Sequence, residues 1–194
     1  MTEIITKEEF LHNKDKFLGM IKRGSIFIHP TDTIYGIGCI ADKKDSVEKI
    51  RKVKKHNKKK PFSVIAPDVN WIKNHLHFKE EYESHIPKLK KQHTFIMEPN
   101  SEHSKKVSEI VADSKTIGIR LIDHWFQEYI QEINKPVIST SVNRKGEIFM
   151  SNINDINEEI YKKIDFIIYE GEKKTKPSKV INLTTRKEKV IRDR

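Results

Sequence analysis

Short runs of β-branched and aromatic residues, set between longer segments of helical spacing, constrain this chain more than any other feature. Ser25-Ile26-Phe27-Ile28-His29, Phe62-Ser63-Val64-Ile65-Ala66, Thr94 to Met97, Ile117-Gly118-Ile119-Arg120-Leu121, Val137 to Thr140 and Phe166 to Tyr169 are too short and too branched for helices. They read as strands, with Val180 to Leu183 and Val190 to Ile191 closing the series. Between them lie apolar stripes. Thr6 and Glu9 form a capping box ahead of Phe10, Leu11, Phe17, Leu18 and Ile21, and Gly24 ends that helix. Val47, Ile50 and Val53 mark a helix over Ser46 to Lys55; Asp68 caps one carrying Trp71, Ile72 and Leu76. A further helix runs from Trp125 to Ile133, and Ile153, Ile156 and Ile160 share a helical stripe, whereas Lys79 to Lys91 carries little pattern. Thr31 to Gly38 reads as a loop. The alternation predicts one α/β domain over residues 1–194 with a mixed sheet, antiparallel where strands follow one another directly.

Size and charge narrow the class. A 194-residue chain buries about 70% of its unfolded surface, enough for a core without a disulfide or metal staple. Cys39 is the single cysteine, which rules out an internal disulfide or a thiolate zinc cluster. No stretch approaches 18 apolar residues and Met1 to Glu9 is too polar for a signal peptide, so a cytoplasmic protein without membrane contact is expected. The 38 lysines and arginines against 28 acids leave a net charge of +10, which suits polyanionic partners such as nucleotides or structured RNA. Lysines that merely solvate the surface would give the same sum.

Several familiar sites are missing: there is no Gly-x-x-x-x-Gly-Lys-Ser/Thr loop, no Gly-x-Gly-x-x-Gly and no His-Glu-x-x-His. The nine histidines lack metal-ligand spacing, and Cys39 follows Gly38 in an apolar context that suits a packed small side chain. Three loops carry more chemistry. Pro30-Thr31-Asp32-Thr33-Ile34-Tyr35-Gly36 places hydroxyls and a carboxylate at a strand's C-terminal end, where open α/β sheets bind ligands; an Asx or Ser/Thr turn would use the same residues. Lys54, Lys55, His56, Lys58, Lys59 and Lys60 could neutralise phosphate oxygens or form a solvated run. Ser139-Thr140-Ser141-Val142-Asn143 suits nucleotide hydroxyls or phosphates, or a capping turn, with Arg120 nearby as a fork of donors.

Taken in order, these segments resemble the YrdC/Sua5 family, whose best-known activity is threonylcarbamoyl-AMP synthesis. The resemblance starts near Gly24, runs through Pro30 to Gly38 and Lys60-Pro61-Phe62-Ser63, and resumes at Thr94-Phe95, Thr116 to Arg120 and Ser139 to Asn143. It closes on Pro177 to Leu183 and Ile191-Arg192-Asp193. It implies a twisted mixed sheet flanked by helices around a large basic cavity, in a short form without an extra C-terminal domain. The implied reaction converts ATP, L-threonine and bicarbonate to threonylcarbamoyl-adenylate and pyrophosphate, with Mg²⁺ held mainly by the phosphates. A separate transferase would then modify tRNA. Carried onto this chain, the resemblance puts Thr31, Asp32, Thr33 and Tyr35 on the threonine side with Arg120 as a neighbour. It gives the reaction to Lys54, Ser141 and Asn143, and nucleotide binding to these with His56, Lys60, Ser63, Thr94, Ser139 and Arg192.

Two departures stand out. His56 occupies the arginine position of the family's Lys-x-Arg pair, and a neutral imidazole lacks the guanidinium's permanent fork. Lys58 or Lys59 could compensate for it. The family's Pro-Gly-Pro-x-Thr segment reads Lys90-Lys91-Gln92-His93-Thr94. Both fit a branch resembling the YciO group, whose substrate is uncertain; an RNA-binding module on the same fold is the remaining alternative.

Overall fold

The computed structural model describes residues 2–57, 60–185 and 188–193. Strand β1 (Glu3–Ile5) leads into α1 (Lys7–His12), where Thr6 Oγ1 accepts from the Glu9 amide and the Glu9 carboxylate accepts from the Thr6 amide. The expected single first helix is broken at Asn13, and α2 (Lys14–Arg23) continues to Gly24, whose φ of 104° ends it in the left-handed region. The break turns Leu11 out to solvent while Phe10, Phe17, Leu18 and Ile21 stay buried. After β2 (Phe27–His29), the segment expected to be loop contains β3 (Gly36–Gly38), then α3 (Lys44–Val53), β4 (Ser63–Ile65) and α4 (Val69–His75), capped by Asp68 on the Trp71 amide. A 3₁₀ turn over Glu80–His85 and α5 (Ile86–Leu89) occupy the weakly patterned stretch. Next come β5 (His93–Met97) and α6 (Glu102–Ala112), a helix not expected from the sequence, capped by Ser101 on the Ser104 amide.

The remainder is β6 (Ile117–Arg120), α7 (Phe126–Ile133), β7 (Val137–Ile138), β8 (Thr140–Ser141), α8 (Glu158–Tyr161), β9 (Phe166–Ile168), β10 (Lys179–Asn182) and β11 (Lys189–Arg192). The predicted stripe of Ile153, Ile156 and Ile160 is split between a 3₁₀ turn at Ile153–Asp155 and the short α8.

Two mixed sheets, rather than one, carry these strands. The first runs β1-β9-β2-β3-β8, with β1, β9 and β2 parallel and β3 antiparallel to both neighbours. The second runs β11-β10-β5-β6-β4-β7 and alternates antiparallel with parallel pairs. The single strand expected at Val137 to Thr140 accounts for the difference. Val137 and Ile138 pair with β4 in one sheet, Thr140 and Ser141 pair with β3 in the other, and Ser139 lies at the crossing with its amide on the Ser63 carbonyl. β3 passes close by: a Cβ on Gly38 would lie 2.7 Å from the Ile138 carbonyl oxygen, and one on Gly36 2.7 Å from Ser139 Oγ. Glycine is required there by contact, not by backbone angle. No helix among the described residues is long and apolar enough to cross a membrane.

Candidate active site

A cavity of about 420 Å³ opens where the sheets meet. Its walls come from the loop after β2, the end of α3 and the turn beyond it, β4 to β6, the β7–β8 crossing, and the stretch around β10 and β11. Among the described residues its lining holds six lysines and arginines (Lys54, Lys60, Arg120, Arg144, Lys145 and Arg192) and no aspartate or glutamate. Such a lining favours a polyanion.

Lys54 caps the C-terminus of α3 and is 1% exposed. Its Nζ donates to the main-chain carbonyl of Ser141 and, at 2.5 Å, to that of Asn143. Ser141 Oγ donates to Asn143 Oδ1 at 2.6 Å, and Asn143 Nδ2 donates to the Glu147 carbonyl at 2.8 Å. The Ser-x-Asn turn is thus knotted around the lysine. Burial, followed by the nearby Lys60, holds the ammonium down to about 7. This amine changes charge near neutrality and responds to any anion placed beside it.

His56 lies in the cavity wall. Its ring stacks on Phe62 with centroids 5.8 Å apart, and Nε2 accepts from Lys60 Nζ at 3.0 Å. Burial and then the charges of Lys54, Lys60 and Arg51 push its pKa down to about 4, so the imidazole is neutral. Arg51, whose guanidinium lies over the Phe62 ring, donates to the carbonyls of Lys60 and Val111 and ties the turn after α3 to α6. Lys58 and Lys59, named as compensating cations, lie outside the described residues.

At the threonine side of the expected arrangement, the loop after β2 is held by hydrogen bonds within itself and from Arg120, Gln92 and Thr175. Thr31 Oγ1 donates to the Ile34 carbonyl at 2.7 Å and contacts Thr33 Oγ1 at 3.0 Å. Arg120 donates to Thr33 Oγ1 at 3.2 Å and to the Asp32 carboxylate. Thr31, Thr33, Tyr35 and Arg120 line the cavity; Asp32 does not, because its carboxylate is drawn onto the guanidinium. Tyr35 offers its ring, while its hydroxyl donates to the Gly171 carbonyl at 2.7 Å and accepts from the Glu170 amide at 3.0 Å. Thr175 Oγ1 reaches the Thr33 carbonyl, so the segment after β9 straps this loop in place.

Ser63, Thr94, Ser139 and Arg192 complete the expected set. Thr94 Oγ1 shares a 2.8 Å hydrogen bond with Ser178 Oγ, and Arg192 folds back to donate to the Ser178 carbonyl at 2.7 and 2.9 Å. Ser178, Arg144 and Lys145 line the cavity without having been singled out. Ser178 follows Pro177 within a segment the resemblance covers, and Arg144 and Lys145 directly follow Asn143, so adjacency was the available signal.

The fold and cavity define an α/β protein with two mixed sheets and, where they meet, a chamber of about 420 Å³ lined by cations among the described residues. The chain belongs to the Sua5/YciO/YrdC family, described as Telomere recombination, whose profile matches residues 19–193. It is 32% identical over 168 residues, 84% of this chain and 76% of the relative, to a Methanocaldococcus jannaschii protein provisionally named threonylcarbamoyl-AMP synthase. It is 25% identical over 178 residues, 90% of this chain and 85% of the relative, to the uncharacterized YciO of Escherichia coli K12. Among solved structures, a double-alanine variant of P. abyssi Sua5 superposes with a TM-score of 0.86 at 25% identity, covering 99% of this chain. This chain spans only 57% of that Sua5 chain.

Proposed function

We propose that the cavity makes L-threonylcarbamoyladenylate from L-threonine, bicarbonate and ATP, releasing pyrophosphate. The observation that carries this reading is the buried Lys54 amine held by the Ser141 and Asn143 carbonyls in a chamber that no aspartate or glutamate lines among the described residues. The synthase name borne by the M. jannaschii relative supports it.

The neutral amine of threonine combines with bicarbonate to give an N-carboxylate and water. A carboxylate oxygen then attacks the α-phosphorus of ATP in line. The new O–P bond forms as the bond to the bridging oxygen breaks, and pyrophosphate leaves with that electron pair. No side-chain nucleophile is needed, and catalysis rests on positioning and on cations set against developing charge. Arg120, fixed by Asp32 and Thr33, meets the carboxylate end. Lys54, Lys60 and Arg192 meet the phosphates, while Ser63, Thr94, Ser139, Ser141 and Asn143 offer hydroxyl and amide contacts to the nucleotide. The donor set suits phosphate oxygens and not a divalent cation, so ATP enters as its magnesium complex with the ion on the phosphates. The product is consumed by a separate transferase acting on tRNA.

A second reading, an adenylating enzyme of the YciO kind with another substrate, is favoured by the neutral His56 in the phosphate wall. Mass spectrometry of a reaction holding ATP, threonine, bicarbonate and Mg²⁺ separates the two. The first reading predicts threonylcarbamoyladenylate that disappears without threonine, without bicarbonate, or in Lys54→Ala. Folded protein that yields no such product supports the second.

A further inference from the structure

A buried lysine amine can serve as an ammonium beside anions or, once neutral, as a nucleophile. The hydrogen-bond count around Lys54 separates these uses. Its Nζ donates to the main-chain carbonyls of Ser141 and Asn143, and no third acceptor is bonded to it among the described residues. Two donated hydrogens are the full complement of a neutral amine, and they leave the nitrogen lone pair unengaged. An ammonium in the same place would bury a third N–H without a partner, which costs about 1–3 kcal/mol. Lys54 is 1% exposed yet lines the chamber, so the chamber is the route by which small molecules meet the amine.

The surrounding charge points the same way. Lys60 stands close enough to oppose protonation of Lys54, and its own Nζ donates to His56 Nε2 at 3.0 Å. Glu147, the carboxylate that favours protonation, is engaged by the Arg144 amide at 2.9 Å and by Asn157 Nδ2 at 3.0 Å. Arg120, Arg144, Lys145 and Arg192 add positive charge to a lining that holds no aspartate or glutamate among the described residues. Such surroundings disfavour a cation at Lys54 and favour an anion there. A lysine side chain becomes an anion by adding carbon dioxide.

We propose that Lys54 captures carbon dioxide as a reversible carbamate inside the chamber, ahead of the reaction at threonine. The Nζ lone pair attacks the carbon of CO2, one C=O electron pair moves onto oxygen, and the nitrogen gives a proton to solvent. Added to the dehydration of bicarbonate that supplies the CO2, the sum is amine plus bicarbonate giving carbamate plus water, with no net proton. The carbamate keeps one N–H, so one of the two carbonyls loses its donor. That loss makes the group reversible. An incoming triphosphate competes for the same cations and expels it, releasing CO2 beside the amine of threonine. The step at phosphorus still needs no side-chain nucleophile, because Lys54 acts before it. Capture rests on the amine and its surroundings alone; delivery to threonine rests on the reaction assigned above.

The test holds the full chain in ¹³C-bicarbonate at pH 8, with neither threonine nor ATP, and reads carbamate by ¹³C NMR. Trapping with triethyloxonium ion and peptide mass spectrometry then locate the label. At that pH an ordinary lysine is less than about 1% neutral, so Lys54 should carry at least ten times the label of any exposed lysine. The α-amino group of the chain is the internal positive control. Lys54→Met and Lys54→Arg should each lose one carbamate resonance and keep that of the α-amino group, and saturating MgATP should remove the same resonance from wild type. Label on the α-amino group alone, or spread evenly over the lysines, overturns the inference. A Lys54 label that MgATP leaves in place overturns the delivery step. Threonylcarbamoyladenylate made by protein that never labels at Lys54 sinks this inference and spares the assigned reaction; label without that product does the reverse.

Discussion

A lysine that gives up water for two peptide carbonyls gains acceptors but no ion pair among the described residues, and that is the situation of Lys54, on which Glu147 acts only from a distance. Its native pKa of about 7 lies below the ordinary 10.5, so between those values the unfolded chain holds a proton the folded chain lacks. Stability therefore rises with pH above 7 through this group. Lys54→Met should remove that rise, read as the difference in Tm between the two proteins from pH 7 to 9.5. A bound triphosphate pulls the same pKa up, so ATP binding at pH 8 should take up close to one proton, measured by calorimetry in buffers of different ionisation heat. Uptake that persists in Lys54→Met would assign the proton elsewhere. His56 is the complementary case, an imidazole kept neutral by its burial and by surrounding cations. His56→Arg should strengthen ATP binding about tenfold while lowering stability by about 1 kcal/mol, since the new charge faces Lys54 and Lys60 until phosphate arrives. Isothermal titration and denaturant melts read the two effects separately. The identities of Lys54, Ser141 and Asn143 were legible in the sequence, as residues that the family resemblance picked out. That the turn wraps the lysine through main-chain carbonyls was not, because carbonyls carry no sequence signal.

At the scale of single elements, β3 shows why a stretch read as loop folds as a strand. Gly36-Ile37-Gly38 has weak strand propensity, yet Ile37 is fully buried and both glycines admit neighbours that a Cβ would strike. Gly38→Ala would drive its methyl against the Ile138 carbonyl and the His29 ring, and should cost about 2–3 kcal/mol in urea unfolding. Gly146→Ala, at φ +86° with open space around it, should cost only about 1 kcal/mol, from backbone strain alone. Equal losses at both sites would mean that contact does not set the choice of glycine in β3. Capping followed local rules and was readable: Thr6 with Glu9, Asp68 and Gly24 all act as their residue types predict. The split at Ser139 was not, because it answers strand partners far along the chain, β4 before it and β3 after it.

At the scale of the whole molecule, the strap beyond β9 joins the first sheet to the start of α7. Its clasp is Glu170, which accepts from His124 Nε2 and Trp125 Nε1 at 2.8 Å and from Lys173 Nζ at 2.6 Å. Burial alone would raise this carboxyl, but the donors of His124, Lys173 and Trp125 prevail and hold it down to about 2. A depressed carboxyl contributes stability above its unfolded pKa and loses it as pH falls from about 4.5 toward 2. Glu170→Gln should flatten that part of the acid denaturation curve, followed by tryptophan fluorescence, and loosen the Tyr35 contact with Gly171. An acid limb unchanged in the variant would remove Glu170 from the account. Alternation of strand and helix, the net positive charge and the family were determined by sequence alone, because periodicity, counting and ordered motifs are properties of the linear chain. Tertiary structure decided that there are two sheets, that Asp32 serves Arg120 instead of lining the chamber, and that Lys54 titrates near neutrality. Each of these depends on which distant groups share a low-dielectric volume and which carbonyls are left to be satisfied there, and neither is written in local sequence.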